Sequence, residues 1–370
     1  MDKQFWAATF TLTGTIIGAG ILGLPYVFSQ SGFLAGVFWL FALGLLMVFA
    51  KVYLAEITLR TKGSHQLAGY AEKYLGKAGK YAMVFAMVFG IYSAIIAYLI
   101  GEGQSLSQLF LGNTNYAILF AFLFWILMSN FLYEGLKGLK KIETWGVLII
   151  VLIVIGIFIW FLPGVQVENL TYINTTSFFF PLGVALFALL GFTSIPEIRK
   201  ELKGGEKKMK KVIIFGSILP IFLYILFTLI FVGTFGQGVS EVATLSFGKV
   251  VTILGIFTMM TSYFVLSFSL KDMFKEDLKF GKFPTFFFSI LLPFLIYLLI
   301  SWFGFFGFVA VLGIGGTIAG GLTGILVLFM NKKAKKIGDR KPEFSIPINW
   351  FVIVLISLIF IFGIVVQLFF

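Results

Sequence analysis

Long apolar runs, cut at short intervals by polar and glycine-rich clusters, set the pattern of this chain of 370 residues. A membrane-spanning helix needs roughly 20 consecutive, mostly apolar residues. Eleven runs meet that length, at about 5–29, 34–57, 79–101, 115–133, 143–162, 178–198, 212–235, 246–270, 284–302, 304–330 and 348–370. The pattern predicts an all-α polytopic membrane protein with eleven transmembrane helices. Several joints are very short, such as Gln30 to Phe33, which forces those neighbours to run antiparallel. One connection has a helical period of its own. In Ser64 to Gly76, Leu67, Tyr70, Ala71, Tyr74 and Leu75 recur at helical spacing, with Gln66, Glu72 and Lys73 elsewhere. It reads as an amphipathic helix lying on the membrane surface, begun by His65 as a solvated loop residue.

Two runs are interrupted where a membrane helix should be most regular. The first contains Gly14-Thr-Ile-Ile-Gly-Ala-Gly-Ile-Leu-Gly-Leu-Pro25, and the sixth contains Gly191-Phe-Thr-Ser-Ile-Pro196. Glycine weakens a helix and proline removes a donor. Backbone freed this way in lipid must be satisfied by protein, water or a bound solute. Gly20-Ile-Leu-Gly-Leu-Pro25 and Gly191-Phe-Thr-Ser-Ile-Pro196 share their glycine, branched aliphatic and proline positions. The second copy lies five spans after the first, so it crosses in the opposite sense. The expectation is one transporter domain over 1–370: an inverted 5+5 repeat, repeat one about 5–162 and repeat two about 178–330, plus an extra helix about 348–370. Paired interruptions of this kind mark the central site of secondary transporters.

Charge fixes the orientation. Every basic residue except Lys51 and Lys249 falls at the N-terminus or in alternate loops, among them Arg60 to Lys80, Lys137 to Lys141, Arg199 to Lys211, Lys271 to Lys282 and Lys332 to Lys341. The positive-inside rule puts the N-terminus in the cytoplasm and Phe370 outside, so the chain is expected in the cell membrane. The same placement explains the net charge of +12 without nucleic acid. The composition, 59% hydrophobic and 12% charged, lies far from that of soluble domains. With no cysteine and one histidine, thiolate chemistry and a multi-histidine metal centre are excluded.

The first break has chemistry of its own. A second half-helix starting near Ile21 leaves the amides of Gly18, Ala19 and Gly20 free, and a helix N-terminus attracts anions. Carbonyls freed from Gly14 through Thr15 to Ile17 are acceptors for a cation or an ammonium group. Ala188, Leu189 and Gly191 offer the same at the second break. A zwitterionic amino acid matches both without any charged side chain. The alternative is that Gly14 and Gly18 form a small-residue packing face. Gly313, Gly315, Gly316, Gly320, Gly321 and Gly324 in the tenth run read as packing positions.

GTIIGAGILGLP in the first run, FALLGFTSIPE in the sixth and eleven spans in this orientation resemble the amino-acid/polyamine/organocation superfamily of permeases. The nearest branch is that of aromatic and hydroxy amino-acid permeases and the amino-acid/auxin permeases. The resemblance covers the whole chain in architecture, and the first and sixth runs in motif. It implies the leucine-transporter fold, with both broken helices unwound around a central substrate, and uptake driven by sodium or protons. It also implies that Phe187 caps the substrate, the alternative being a lipid- or core-facing ring. Tyr98 is the tyrosine expected at the pocket, with Tyr92 as competitor. Thr261 and Ser262 resemble a sodium site completed by the carbonyls of Gly14 and Ile17; their alternative is bonding back to their own helix. The lysine that replaces this sodium in some proton-coupled relatives is missing from Trp145 to Phe161, which tilts the expectation towards sodium. Glu197, after the second proline, is either a proton carrier or gate, or an ion pair with Arg199 or Lys200.

No buried acid or base is expected in the pocket beyond Glu197, which favours neutral amino acids, aromatic, branched or hydroxy, as substrate. No cofactor is expected beyond a sodium ion. An intramembrane enzyme lacks its nucleophile–base or metal constellation, and an ATP-driven pump lacks its phosphate-binding loop. The remaining competitor is a non-transporting amino-acid sensor on the same fold.

Overall fold

A computed structural model describes residues 3–134 and 139–369, with side chains for all of these except 133–149, 276, 277, 368 and 369. Of the residues used above, Met1, Lys137 and Phe370 lie outside the described residues, as do the side chains of Lys140, Lys141 and Trp145. Described secondary structure is helical throughout. The elements are α1 (Lys3–Ile16), α2 (Gly20–Ser31), α3 (Phe33–Arg60), α4 (Leu67–Leu111), α5 (Ala117–Glu134), α6 (Leu139–Phe161), α7 (Val167–Thr171) and α8 (Pro181–Ala188). There follow α9 (Ile195–Glu201), α10 (Met209–Phe235), α11 (Lys249–Asp272), α12 (Lys282–Phe286), α13 (Leu292–Phe303), α14 (Phe308–Gly315), α15 (Gly321–Ile337) and α16 (Trp350–Phe369). Wider π-helical turns at Phe287–Leu291 and Gly316–Gly320 join α12 to α13 and α14 to α15.

Among the described residues, eight helices are long and apolar enough to cross a membrane, or nine if α1 and α2, bent by 56°, form one span. Ala117–Leu132 and Ile150–Gly164 are shorter apolar helices. Each expected run therefore recurs as helix, while length alone carries the count to nine rather than eleven. Burial orders the bundle. Every residue of α8 is buried, and it packs against α2, α3 and α14, while α10 covers α1, α2 and α3. Phe38, Phe41 and Leu45 on α3, Phe122 and Leu123 on α5, and Phe215 and Phe222 on α10 are exposed, an apolar outer belt suited to lipid.

Two local expectations need correcting. The amphipathic segment is a helix, set off from the rest of α4 by Gly76 at φ 77°, but its apolar face is covered by protein and not by the membrane surface. Leu67, Tyr70, Ala71 and Tyr74 are buried, and the Tyr74 hydroxyl lies 2.7 Å from Thr61 Oγ1 at the end of α3. A buried tyrosine hydroxyl needs such a partner. His65 is exposed. The third span also extends beyond 101, as α4 continues to Leu111 and closes on Gly112 in the left-handed region.

The glycines of the tenth run permit close backbone approach. A Cβ on Gly183 would fall 2.8 Å from Gly313 Cα, and one on Gly316 would fall 2.7 Å from Phe187 Cβ.

Candidate functional site

Apolar runs would continue as straight helix but for their glycines, and the structure breaks at these points. α1 ends at Ile16, the chain turns through Ile17, Gly18 and Ala19, and α2 starts at Gly20 with no side-chain cap. The amides of Gly18 and Gly20 find no backbone acceptor in the break, and the carbonyls of Gly14, Thr15 and Ile17 accept no backbone donor. Ala19 donates its amide to the Tyr98 hydroxyl at 3.2 Å, and Ser262 lies near that same hydroxyl. Tyr98 thus reaches the break, whereas Tyr92 donates to the Phe288 carbonyl. An uncapped, buried helix N-terminus in mid-bundle is a ready anion site.

At the second break α8 ends at Ala188, Leu189 and Leu190 bond back to its last turn, and Gly191 turns with φ 131°. Ser194 donates its hydroxyl to Gly191 O at 2.9 Å. Ala188 and Leu189 are buried, as is Phe187, which lies against Gly315 and Gly316. The two breaks touch each other. A Cβ on Gly20 would lie 2.5 Å from Ala188 Cβ, and one on Gly191 would lie 2.7 Å from Ile16 Cγ1.

Sequence reasoning missed the residue that joins them. Tyr224 of α10 is fully buried, and its hydroxyl lies 2.8 Å from Ile16 O and 2.9 Å from Ala188 O. One hydroxyl proton is shared between a carbonyl freed at each break. Nothing in the local pattern of α10 marks this tyrosine out.

Other expected residues fall elsewhere. Thr15 is exposed and its hydroxyl donates to Thr11 O at 2.8 Å. Thr261 Oγ1 donates to the carbonyls of Phe257 and Thr258, each at 3.0 Å, which still leaves lone pairs for a cation. Oxygen donors suit sodium, but α11 packs along α4 and has little contact with α1. Ser262 comes closest, through Tyr98. Glu197 is exposed on α9 beside Glu201, and Arg199 is committed to the carbonyls of Thr61 and Gly63. The buried acids and bases of the bundle lie elsewhere than Glu197. Glu197 is at the surface, while Glu102 in α4 and Lys51 in α3 are fully buried. The signal for Glu102 was its place four residues after Tyr98, hidden because the apolar run was ended at 101.

Two opposed breaks, buried face to face in an all-helical membrane bundle, define a transporter of the broken-helix type. The sequence comparison agrees: residues 1–245 match the tryptophan/tyrosine permease family, and the chain belongs to that family. It is 24% identical over 316 residues to Glutamine transporter 2 of Aliivibrio fischeri, covering 80% of this chain and 81% of that one. It is 27% identical over 228 residues to Tyrosine-specific transport system 1 of Haemophilus influenzae, covering 60% of this chain and 56% of that one. The solved structure of MhsT in complex with L-phenylalanine aligns with a TM-score of 0.66 at 14% identity, over 98% of this chain and 97% of that one. That likeness shows the leucine-transporter fold. The chain is a membrane transporter, not an enzyme.

Proposed function

We propose that this chain is a secondary active transporter of neutral amino acids, coupled to sodium or protons, which works by alternating access around the breaks at Gly18 and Gly191. The observation that carries this is the pairing of free amides at one break with freed carbonyls at the other, tied together by Tyr224. The uncapped start of α2 suits a substrate carboxylate, and the carbonyls around Ala188 and Leu189 suit its amine. No side chain named at either break is charged, so recognition rests on groups common to all amino acids. Aromatic side chains are favoured by the tyrosine and tryptophan named for the relatives and by Phe187 beside the second break. The charge pattern sets the N-terminus in the cytoplasm of a cell whose outer membrane face carries the C-terminus.

The test is uptake into proteoliposomes of a panel of labelled neutral amino acids, with sodium and proton gradients imposed separately. Accumulation of at least one amino acid under one gradient is expected. If neither gradient drives accumulation of any, coupled transport is wrong.

A further inference from the structure

Glu102 is fully buried, and neither of its carboxyl oxygens has a hydrogen-bond partner among the described residues. Glu56, also fully buried, shows what a satisfied carboxylate in this bundle requires. It accepts from Arg60, from Lys335 and Ser345, each of these two at 2.8 Å, and from the Ile346 amide at 3.1 Å. Glu102 has no such company. An unpaired carboxylate inside a membrane bundle is strongly disfavoured, and an acid held there is a functional group by default.

Its position is specific. Glu102 follows Tyr98 by four residues, so the two side chains leave the same face of α4 about one helical turn apart. Tyr98 is the residue that holds the Ala19 amide. Ile100 and Gln104, each two residues away, project from the opposite face, where they line a cleft of about 290 Å³ with Tyr297 and Ser301. Glu102 therefore belongs to the side of α4 that carries the break and not to the cleft. Of the helices packed on α4, α13 and α14 carry no charged residue, and α5 has one only at its last position. α11 has Lys249 at its start and Lys271 and Asp272 at its end, and the lysines of α15 lie beyond Asn331. Glu241 is held by the Val309 amide at the start of α14 at 3.2 Å. Tyr263 of α11 and Tyr297 of α13 are the buried titratable groups on these helices.

We propose that Glu102 is the proton-binding site of this transporter, filled when an amino acid binds and emptied when it leaves. The proposal rests on the transport reading above. A substrate carboxylate at the Gly18 and Gly20 amides would place one negative charge beside Tyr98; an ionised Glu102 would place a second one turn away, in a medium that screens poorly. Like charges so placed oppose each other. Protonation of Glu102 thus favours amino-acid binding, and by linkage amino-acid binding favours protonation to the same extent. The O–H bond of Glu102 forms with a proton from the water on one side and breaks by return to water on the other. One zwitterion and one proton cross together, and the cycle moves one positive charge. The sign follows: amino-acid affinity tightens as pH falls and slackens as pH rises through the ionisation of Glu102.

The test uses proteoliposomes and the neutral amino acid that the wild type exchanges best. An acid-outside gradient is expected to drive accumulation by wild type, and a sodium gradient at equal pH is not. In Glu102→Gln, accumulation should fall by about tenfold or more, the scale of a typical coupling energy, while exchange at equal pH falls by less than about threefold and loses its pH dependence. If the glutamine variant does not fold, Glu102→Asp should shift the pH midpoint of binding. Proton-driven accumulation by Glu102→Gln at the wild-type level, an unmoved midpoint in Glu102→Asp, or wild type driven by sodium alone would overturn the proposal. Exchange without proton drive sinks only the role of Glu102. Absence of exchange by the wild type with any amino acid sinks the transport reading and this proposal with it.

Discussion

At the first break Gly20 opens α2 and Pro25 falls inside that helix, whereas at the second Gly191 turns at φ 131° and Pro196 sits in the first turn of α9. The motif is the same, yet the backbones differ, because the proline is free to be interior in one copy and initiating in the other. Interior proline leaves α2 a long half-helix of 12 residues; initiating proline leaves α9 with 7. The second break also closes on itself through Ser194 and Gly191. The first keeps its Gly18 and Gly20 amides uncommitted and leans on side chains from elsewhere, Tyr98 and Tyr224. On the proposed function, the first break meets a ligand with uncommitted amides, and the second is a firmer wall that offers its carbonyls from across it.

The largest effect should come from filling the contact between them. Gly20→Ala would drive a Cβ to 2.5 Å from Ala188 Cβ, and overpacking of this kind costs about 1–3 kcal/mol. Thermal melting in detergent should show the loss, and amino-acid binding should be abolished. Gly18→Ala meets only the Tyr98 hydroxyl at 3.2 Å, the end of a movable side chain, so its stability should be nearly unchanged. Equal losses in both variants would erase the distinction between the wall and the open amides.

Tyr224→Phe comes next. It leaves two buried carbonyls without a donor, which costs about 1–3 kcal/mol and uncouples the breaks. Substrate affinity, measured by binding at equilibrium, should weaken by about tenfold, as 1.4 kcal/mol corresponds to that factor. A smaller loss belongs to Ser194→Ala, which removes one internal bond of a break that holds its own shape, about 1 kcal/mol. If Ser194→Ala weakens binding more than Tyr224→Phe, the second break is not the firm partner.

These contrasts also show what could be read before the fold. The interruptions were legible because glycine and proline in an apolar run have few other uses; Tyr98 was one of two candidates with Tyr92, and only the structure brings its hydroxyl to the Ala19 amide. Tyr224 was not, being one of 13 tyrosines in a helix with no pattern to single it out. Glu102 was lost to a boundary: apolarity ends near 101, but the helix continues because Glu102, Gln104, Ser105 and Ser107 are good enough helix residues and mostly buried by neighbours. Glu197 was overvalued for the converse reason, since a sequence does not say which face of α9 meets solvent. The periodic segment from Leu67 to Leu75 announced an apolar face but not its cover, which is protein.

The smallest expected effect lies away from both breaks and gives them a baseline. Asp339 follows α15 and is paired with Lys73, and its carboxylate also accepts the Lys62 amide at 2.9 Å. The hydrogen bond from Lys73, with that from Lys62, holds the Asp339 carboxyl below the usual carboxylate range. A lowered folded value means that the ionised form contributes stability above the unfolded aspartate value of about 3.9. That contribution is lost as pH falls through the lower folded value. Both partners are solvent-exposed in part, so salt screens the pair and its worth is small. Melting temperatures of wild type and Asp339→Asn, compared from pH 7 down to the acid limit, should converge as pH falls, while amino-acid binding at neutral pH stays within about twofold. Were Asp339→Asn to weaken binding as strongly as Tyr224→Phe, the pair would be part of the gate rather than a surface tie, and the ligand's grip could no longer be assigned to the breaks alone.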